Sequence, residues 1–372
     1  MCTPSAAGAR LAVRLEKVTM ADVAREAGVS AATVSRLVRG GTRVNAETRD
    51  RILKAAQRLN FNLEARKSSR IIAFLLSNRG VLHPFHSSVL MGAEAYCAEH
   101  DYGLLFLPLQ YSLTLLKERL SLPEILLRKT VVAGAIVAGT NSQEMLELLT
   151  EHEIPWIVLG NNVAGEWPHD KTRSIFFDDI RGSYELTSYL ISLGHLHIGF
   201  AGNLSLPWYL RRFQGYSRAM EEAGLAVMST DLRTLDGEEM GYVGAKLMLQ
   251  QNPRPTAIFA ADDPAGRGVY RAARDQNLNI PEDLSVAGFN DTPDAAALHP
   301  PLTTVRVFTE ELGRQAGELL FRQIGQPETA AASMVLPTRL IRRESTVSPA
   351  VTTFAELKES RSMGQKGGGV RR

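Results

Sequence analysis

Cysteine is almost missing from this 372-residue chain: Cys2 and Cys97 are the only two. Neither a disulfide framework nor a cysteine metal site can be built from them, and a reducing cytoplasm is the expected setting. Long hydrophobic runs are missing as well. No apolar stretch approaches the roughly 18 residues of a membrane-spanning helix, so the sequence predicts no membrane partner. Residues 1–17 (MCTPSAAGARLAVRLEK) carry Arg10 and Arg14 but no continuous apolar segment. They read as a disordered extension rather than a secretory signal, with Met20 an alternative start. Catalytic signatures are missing too. There is no phosphate loop and no Gly-x-Ser-x-Gly elbow, and Gly266-Arg267-Gly268 lacks dinucleotide-site spacing. His195-x-His197 and His83-x-x-His86 have no further ligands at usable spacing. Asp178-Asp179 and Asp262-Asp263 open helices, where the dipole favours carboxylates. The sequence therefore predicts no catalytic residue, no metal, no cofactor and no enzyme.

What is present is ordinary globular composition, 44% hydrophobic, in a chain long enough for several domains. The net charge of +2 is unevenly spread: residues 1–70 carry +8 and the remainder −6. A basic block on an acidic body suits a nucleic-acid arm, because neutralising phosphates releases counterions, although such blocks also occur as solvated tails.

Within that block three helices are predicted. Met20, Val23, Ala24 and Ala27 recur at helical spacing behind Thr19, a possible cap with Asp22 three residues on. Gly28 stops this helix. Ser30 caps a second, Ala31 to Arg39, which Gly40-Gly41 ends. Asn45 caps a third. A helix, a tight glycine turn and a helix that opens with small residues describe a helix-turn-helix over 18–60. In a major groove, Arg36 can reach both guanine acceptors, and Ala31 or Ala32 can touch a thymine methyl. Ser30, Thr33, Ser35 and Arg39 suit phosphate, and Asn45 joins them as a DNA-side candidate. The competing reading is a three-helix cap with Arg36 as a surface charge.

Residues 20–36 (MADVAREAGVSAATVSR) and 44–52 (VNAETRDRI) resemble the headpiece of the lactose-repressor/galactose-repressor family of bacterial transcription regulators. That resemblance makes Ala31, Ala32 and Arg36 the base-reading positions. The family's hinge is matched less well. Residues 61–70 (FNLEARKSSR) lack the Pro-Asn pair, and no Leu follows Ala65-Arg66. Minor-groove insertion is left open there, and Arg66 is a candidate phosphate contact.

From residue 71 apolar strands alternate with amphipathic helices. Strands are predicted over 71–76, 104–108, 133–138, 156–159, 174–177, 197–201, 257–261 and 284–288, with helices between. This pattern gives an α/β core of two doubly wound parallel-sheet lobes over 71–347. A tail, 348–372, reads as flexible. The strings His83-Pro84-Phe85, Arg212-x-x-Gly215-Tyr216, 258–263 (IFAADD) and 280–289 (IPEDLSVAGF) are similar to the family core, itself similar to periplasmic sugar-binding proteins. The resemblance implies lobe 1 at about 71–175 and 306–333, and lobe 2 at about 176–305 and 334–347.

Ligands of such sheets bind beyond the carboxyl ends of the strands. His86, Asn161 (with Asn162), Arg212, Asp236, Asp262 and Asn290 occupy such positions and carry groups that pair with sugar hydroxyls. Simpler roles stay open: Asp262 as a helix cap, Asn290 in a turn, Arg212 as a surface charge. Asp262, Asn290 and Asp236 also depart from the family's usual Asn, Asp and aromatic residue, so no known effector carries over. The expectation is a cytoplasmic, ligand-responsive regulator that represses. Its partners would be a near-palindromic DNA operator, a sugar-like effector and a second copy, as a homodimer or higher oligomer. A transport solute-binding protein would have a signal peptide and no basic headpiece, and a sugar enzyme would show an acid/base pair.

Overall fold

Thr19 and Asp22 begin the first helix, α1 (Met20–Ala27), with a reciprocal cap. The Thr19 hydroxyl accepts from the Asp22 amide at 3.3 Å, and the Asp22 carboxylate accepts from the Thr19 amide at 2.9 Å. Gly28 ends the helix with φ 62°, a left-handed turn that costs glycine nothing. Ser30 Oγ accepts from the Thr33 amide at 3.1 Å and opens α2 (Ala31–Val38). Asn45 Oδ1 accepts from Thr48 at 2.8 Å and opens α3 (Ala46–Arg58). Val23, Ala27, Val34, Val38, Ile52 and Ala56 form the small core of these helices, with Met20, Leu37 and Phe61 packed at its edge.

This computed structural model describes residues 18–38, 44–59, 61, 63, 70–80, 83–165, 173–233, 236–325 and 333–349. The expected extension 1–17, nearly all of the tail 348–372, most of the hinge 61–70, and the candidates Arg39 and Arg66 lie outside them. The chain divides into two compact units. One holds α1 to α3; the other holds two six-stranded sheets.

The first sheet contains β1 (Ile71–Ser77), β2 (Gly103–Leu109), β3 (Val132–Gly139), β4 (Trp156–Leu159) and β5 (Ser174–Phe177). Interleaved with these strands are α4 (Pro84–Glu99), α5 (Glu124–Leu127) and α6 (Gln143–Glu151). After α7 (Asp179–Ser192) the chain builds the second sheet: β6 (Ile198–Gly202), α8 (Pro207–Glu222), β7 (Met228–Asp231), α9 (Gly237–Met248), β8 (Ala257–Ala260), α10 (Asp263–Asp275), β9 (Ser285–Asn290), α11 (Pro293–Ala297) and β10 (Thr303–Arg306). It then returns through α12 (Thr309–Gly325) to β11 (Ser333–Leu336) of the first sheet and crosses back for β12 (Arg339–Ile341) of the second. The strand orders are β11-β5-β4-β3-β1-β2 and β12-β10-β9-β8-β6-β7. Five positions in each thus follow one doubly wound plan, with ligand space at the carboxyl edge. β12 runs antiparallel to β10.

Two expectations are corrected here. β5 lies wholly in the first sheet and β11 pairs in parallel with it, Ser333 opposite Ser174 through Leu336 opposite Phe177. Residues 176–177 and 334–336 therefore belong to the first lobe rather than the second. β7, β10, β11 and β12 are strands that hydrophobic pattern alone misses. Three of them are half-exposed edges of three or four residues, and β10 follows Pro300-Pro301. Helix α12 crosses α4 where two glycines remove side chains from the contact: a Cβ on Gly92 would lie 1.9 Å from the Glu310 carbonyl oxygen, and one on Gly313 2.0 Å from that of Val89.

Candidate functional site

Helix α2 turns Val34 and Val38 into the small core and leaves Ala31, Ala32 and Arg36 exposed. Ala32 and Arg36, and Ala31 and Ser35, are each four residues apart, so the four residues form two neighbouring ridges on one face. Small side chains at the helix start and a long cation one turn later fit a groove floor. Ser30 and Thr33, whose hydroxyls lie 2.8 Å apart, edge that face. Asn45 serves α3 as its cap and is exposed.

The second site lies between the two sheets. β1 ends at Ser77, and Asn78 follows at φ 56°. Asn78 is fixed by bonds from its side-chain nitrogen to the Thr140 carbonyl (3.1 Å) and from the Tyr111 amide to its oxygen (2.9 Å). This turn presents Arg79, whose Nη1 lies 2.5 Å from Asp236 Oδ2 of the other lobe and whose guanidinium sits 4.3 Å above the Trp208 ring. Asp236 caps α9, and Asp262 caps α10 by accepting from Ala265 at 2.8 Å. The Tyr209 hydroxyl lies between them, 2.8 Å from Asp236 Oδ1 and 2.5 Å from Asp262 Oδ2. It has one hydrogen and so serves one carboxylate at a time.

Arg212, 2% exposed, donates to the Ala261 carbonyl (2.6 Å) and to Asn290 Oδ1 (2.8 Å), and lies 4.1 Å over the Phe289 ring. Its Nε and the Nδ1 atoms of His83 and His86 are buried with no protein partner. Phe85, Phe177 and Trp208 supply apolar walls around a cavity of about 50 Å³. Burial, with His83 and Arg79 nearby, pushes the His86 imidazole down to about 3, so it is neutral at pH 7. Burial raises Asp262, with the Tyr209 and Ala265 bonds acting against it. For Asp236 the burial penalty is outweighed by the bond and charge of Arg79, and its carboxyl falls below the usual range.

Residues 19–62 match the family model described as bacterial regulatory proteins, lacI family, and residues 187–346 match a periplasmic binding protein-like domain. The HTH-type transcriptional regulator RegA of Clostridium saccharobutylicum is 32% identical over 338 residues, 88% of this chain and 98% of the relative. The chain belongs to the LacI family of bacterial regulatory proteins. The ribose operon repressor of Haemophilus influenzae is 30% identical, covering 89% of this chain and 99% of the relative. Among solved structures, the lac repressor dimer bound to operator and the anti-inducer ONPF superposes with a TM-score of 0.66 at 26% identity, over 89% of this chain and all of that one. A complex of the regulator CelR with cellobiose gives 0.65 at 27%, over 88% and 100%.

As a LacI-family chain this is a DNA-binding transcription regulator with a helix-turn-helix and a two-lobed core. Of the six core positions singled out from sequence, His86, Arg212, Asp236, Asp262 and Asn290 line one cavity. Asn161 does not. Its amide donates to the Phe177 carbonyl (2.9 Å) and to Asp179 (3.0 Å) and accepts from the Phe177 amide (3.0 Å), which clamps β5; its neighbour Asn162 faces the cavity instead. Asp262 both caps α10 and lines the cavity. Asn290, at φ 106°, turns the chain and also holds Arg212. Arg79, His83, Trp208 and Tyr209 were not singled out as ligand residues. Arg79 stands two residues past an apolar strand, the same signal that marks the others. Tyr209 precedes Arg212 by three residues on α8 and shares its face. His195, by contrast, is tied to Thr256 Oγ1 and to the Val347 carbonyl, both at 2.9 Å, and is structural.

Proposed function

We propose that the protein is a repressor that acts as a homodimer on a near-palindromic operator and is controlled by a small, sugar-like molecule bound between the lobes of its core. Ala31, Ala32 and Arg36 read base edges, and Ser30, Thr33, Ser35 and Asn45 steady the headpiece on the backbone, with Arg39 and Arg66 as further phosphate contacts. One helix-turn-helix covers one half-site, which is why two copies are needed.

The observation that carries the ligand reading is a set of buried nitrogens without protein partners, His86 Nδ1, His83 Nδ1 and Arg212 Nε, on three residues that line one cavity with Phe85, Phe177 and Trp208. Buried polar groups are costly unless something bonds them, and hydroxyl groups do so. The similarity to a ribose operon repressor and to a cellobiose-bound regulator points to the same class of ligand. Ligand and operator are coupled because each prefers one of two core arrangements. The test begins by selecting binding sites from random duplex DNA with the full chain. Sugars and nucleosides are then screened for thermal stabilisation and for a change in affinity for the selected site. A compound that does both supports the reading, provided Arg212→Ala removes both effects. Selection of no near-palindromic site, or effects that survive Arg212→Ala, would overturn it.

A further inference from the structure

The charges lining the cleft cancel: two arginines, Arg79 and Arg212, face two aspartates, Asp236 and Asp262. The arginines are not equally available. Arg212 has both Nη atoms bonded within its own lobe, to Ala261 and Asn290. Arg79 is half-buried at the end of β1 and reaches across to the second lobe. There its guanidinium lies on Trp208 and meets Asp236, while Nε points at Thr140 Oγ1, 3.3 Å away. A phosphate or carboxylate entering the cleft would look first to this guanidinium, a geometry that arginine otherwise offers bidentately.

Resting on the reading of the cleft as a ligand site, we propose that Asp236 determines the charge class of that ligand: by holding Arg79, it restricts the cleft to uncharged polyhydroxy compounds and turns away phosphorylated or carboxylated ones. An anion can take Arg79 only by displacing Asp236. The freed carboxylate then stays beside the anion and beside Asp262, since both aspartates reach one Tyr209 hydroxyl. Like charges so placed disfavour one another strongly in a partly buried site. A hydroxyl group avoids this conflict, because it can donate to Asp236 and accept from Arg79 without parting them. Arg212 Nε and the neutral imidazoles of His83 and His86 likewise serve a neutral ligand. Trp208, covered by the guanidinium on one side, is part of the same lining.

The filter is tested with inorganic phosphate as probe, against chloride at matched ionic strength, on the full chain by thermal shift and calorimetry. Wild-type protein is expected to show no saturable phosphate response. Asp236→Asn, which retains a capping side chain for α9, is expected to bind phosphate at least tenfold more tightly, and Asp236→Ser provides a second uncharged cap if the amide folds poorly. Adding Arg79→Ala to either variant removes the gain. Equal phosphate affinity in wild type and both Asp236 variants overturns the proposal, as does a gain that persists without Arg79. The effector reading fails separately: if the phosphate pattern appears but no neutral sugar or nucleoside alters operator binding, the filter stands and the assignment of a sugar-like effector falls.

Discussion

Arg51, on α3, donates from Nη2 to the carbonyl oxygens of Ala27 at 2.6 Å and Gly28 at 3.1 Å. It thereby ties the third helix to the turn that sets α1 against α2. Both acceptors sit at a helix end, where carbonyls have no intrahelical partner and the dipole favours a cation. A charged hydrogen bond to such groups contributes about 1.5–3 kcal/mol. Arg51→Ala should therefore loosen the headpiece while leaving every exposed residue of α2 in place. Hydrogen exchange of the α1 and α2 amides in the full chain is expected to quicken by one to two orders of magnitude, with core amides unchanged. Unaltered α1 protection would show that the turn holds without Arg51.

Arg36 lies at the exposed end of the same construction and makes the opposite prediction. It contributes nothing to the three-helix core, so Arg36→Ala should leave headpiece protection intact. Loss of a bidentate base contact costs about 1–3 kcal/mol on the selected site and relaxes preference at one base pair. Anisotropy titrations on the selected duplex and on single-base variants measure both. An equal loss on random DNA would make Arg36 a phosphate contact instead.

The headpiece was legible in sequence because its signals are local. Ser30, Asn45 and Gly28 mark the helix ends within a few residues of the bonds they make. The central strands were legible for a different reason: buried on both faces, β1 and β3 read as unbroken apolar runs. β11 and β12 were not legible, because a three- or four-residue edge becomes a strand only through a partner about 30 to 160 positions away. The cleft shows the same division. The rule that ligand groups follow strand ends reached Arg212, Asp236 and Asp262. It reached Asn161, whereas the cavity is lined by its neighbour Asn162: the two are adjacent in one short turn with side chains facing different ways. The Arg79–Asp236 pair was beyond reach because it joins positions 157 apart across two lobes.

Acid and base groups buried near the cleft set opposing pH dependences. His86 titrates near 3 in the folded chain against 6.5 when unfolded, so between these values the unfolded state holds the extra proton and stability rises with pH. Asp263 is raised by burial from 3.8 to about 7, against bonds from Thr304 Oγ1 (2.6 Å) and the Thr292 amide (2.7 Å). Between 3.8 and 7 the folded state holds that proton, and this contribution falls as pH rises. In wild type the two oppose each other from about pH 4 to 6.5. Asp263→Asn leaves His86 unopposed and should steepen the loss of core stability on acidification. His86→Gln should leave Asp263 unopposed and flatten or invert that slope. Urea midpoints from pH 4.5 to 6.5 read both, and parallel slopes in the two variants would refute the assignment.

The crossing of α4 and α12 is the place where one methyl group should do most damage to the first lobe. A Cβ on Gly92 would stand 1.9 Å from the Glu310 oxygen and 2.7 Å from its carbonyl carbon, and one on Gly313 2.0 Å from the Val89 oxygen and 2.8 Å from the Ala93 nitrogen. These are backbone atoms, so no side chain can swing aside and the helices must separate. The intrinsic preference runs the other way, since alanine in a helix interior is favoured over glycine by about 1 kcal/mol. Overpacking at a close contact costs about 1–3 kcal/mol, and here it exceeds the propensity gain because separating the helices also loosens the packing of α12 against β4 and β5 and of α4 against β2. Gly92→Ala and Gly313→Ala should each lower the unfolding midpoint of the core. Gly325→Ala, at the end of α12 with nothing within 4 Å of its Cβ, should not. If all three alanines stabilised the protein alike, propensity rather than the close approach would govern the crossing.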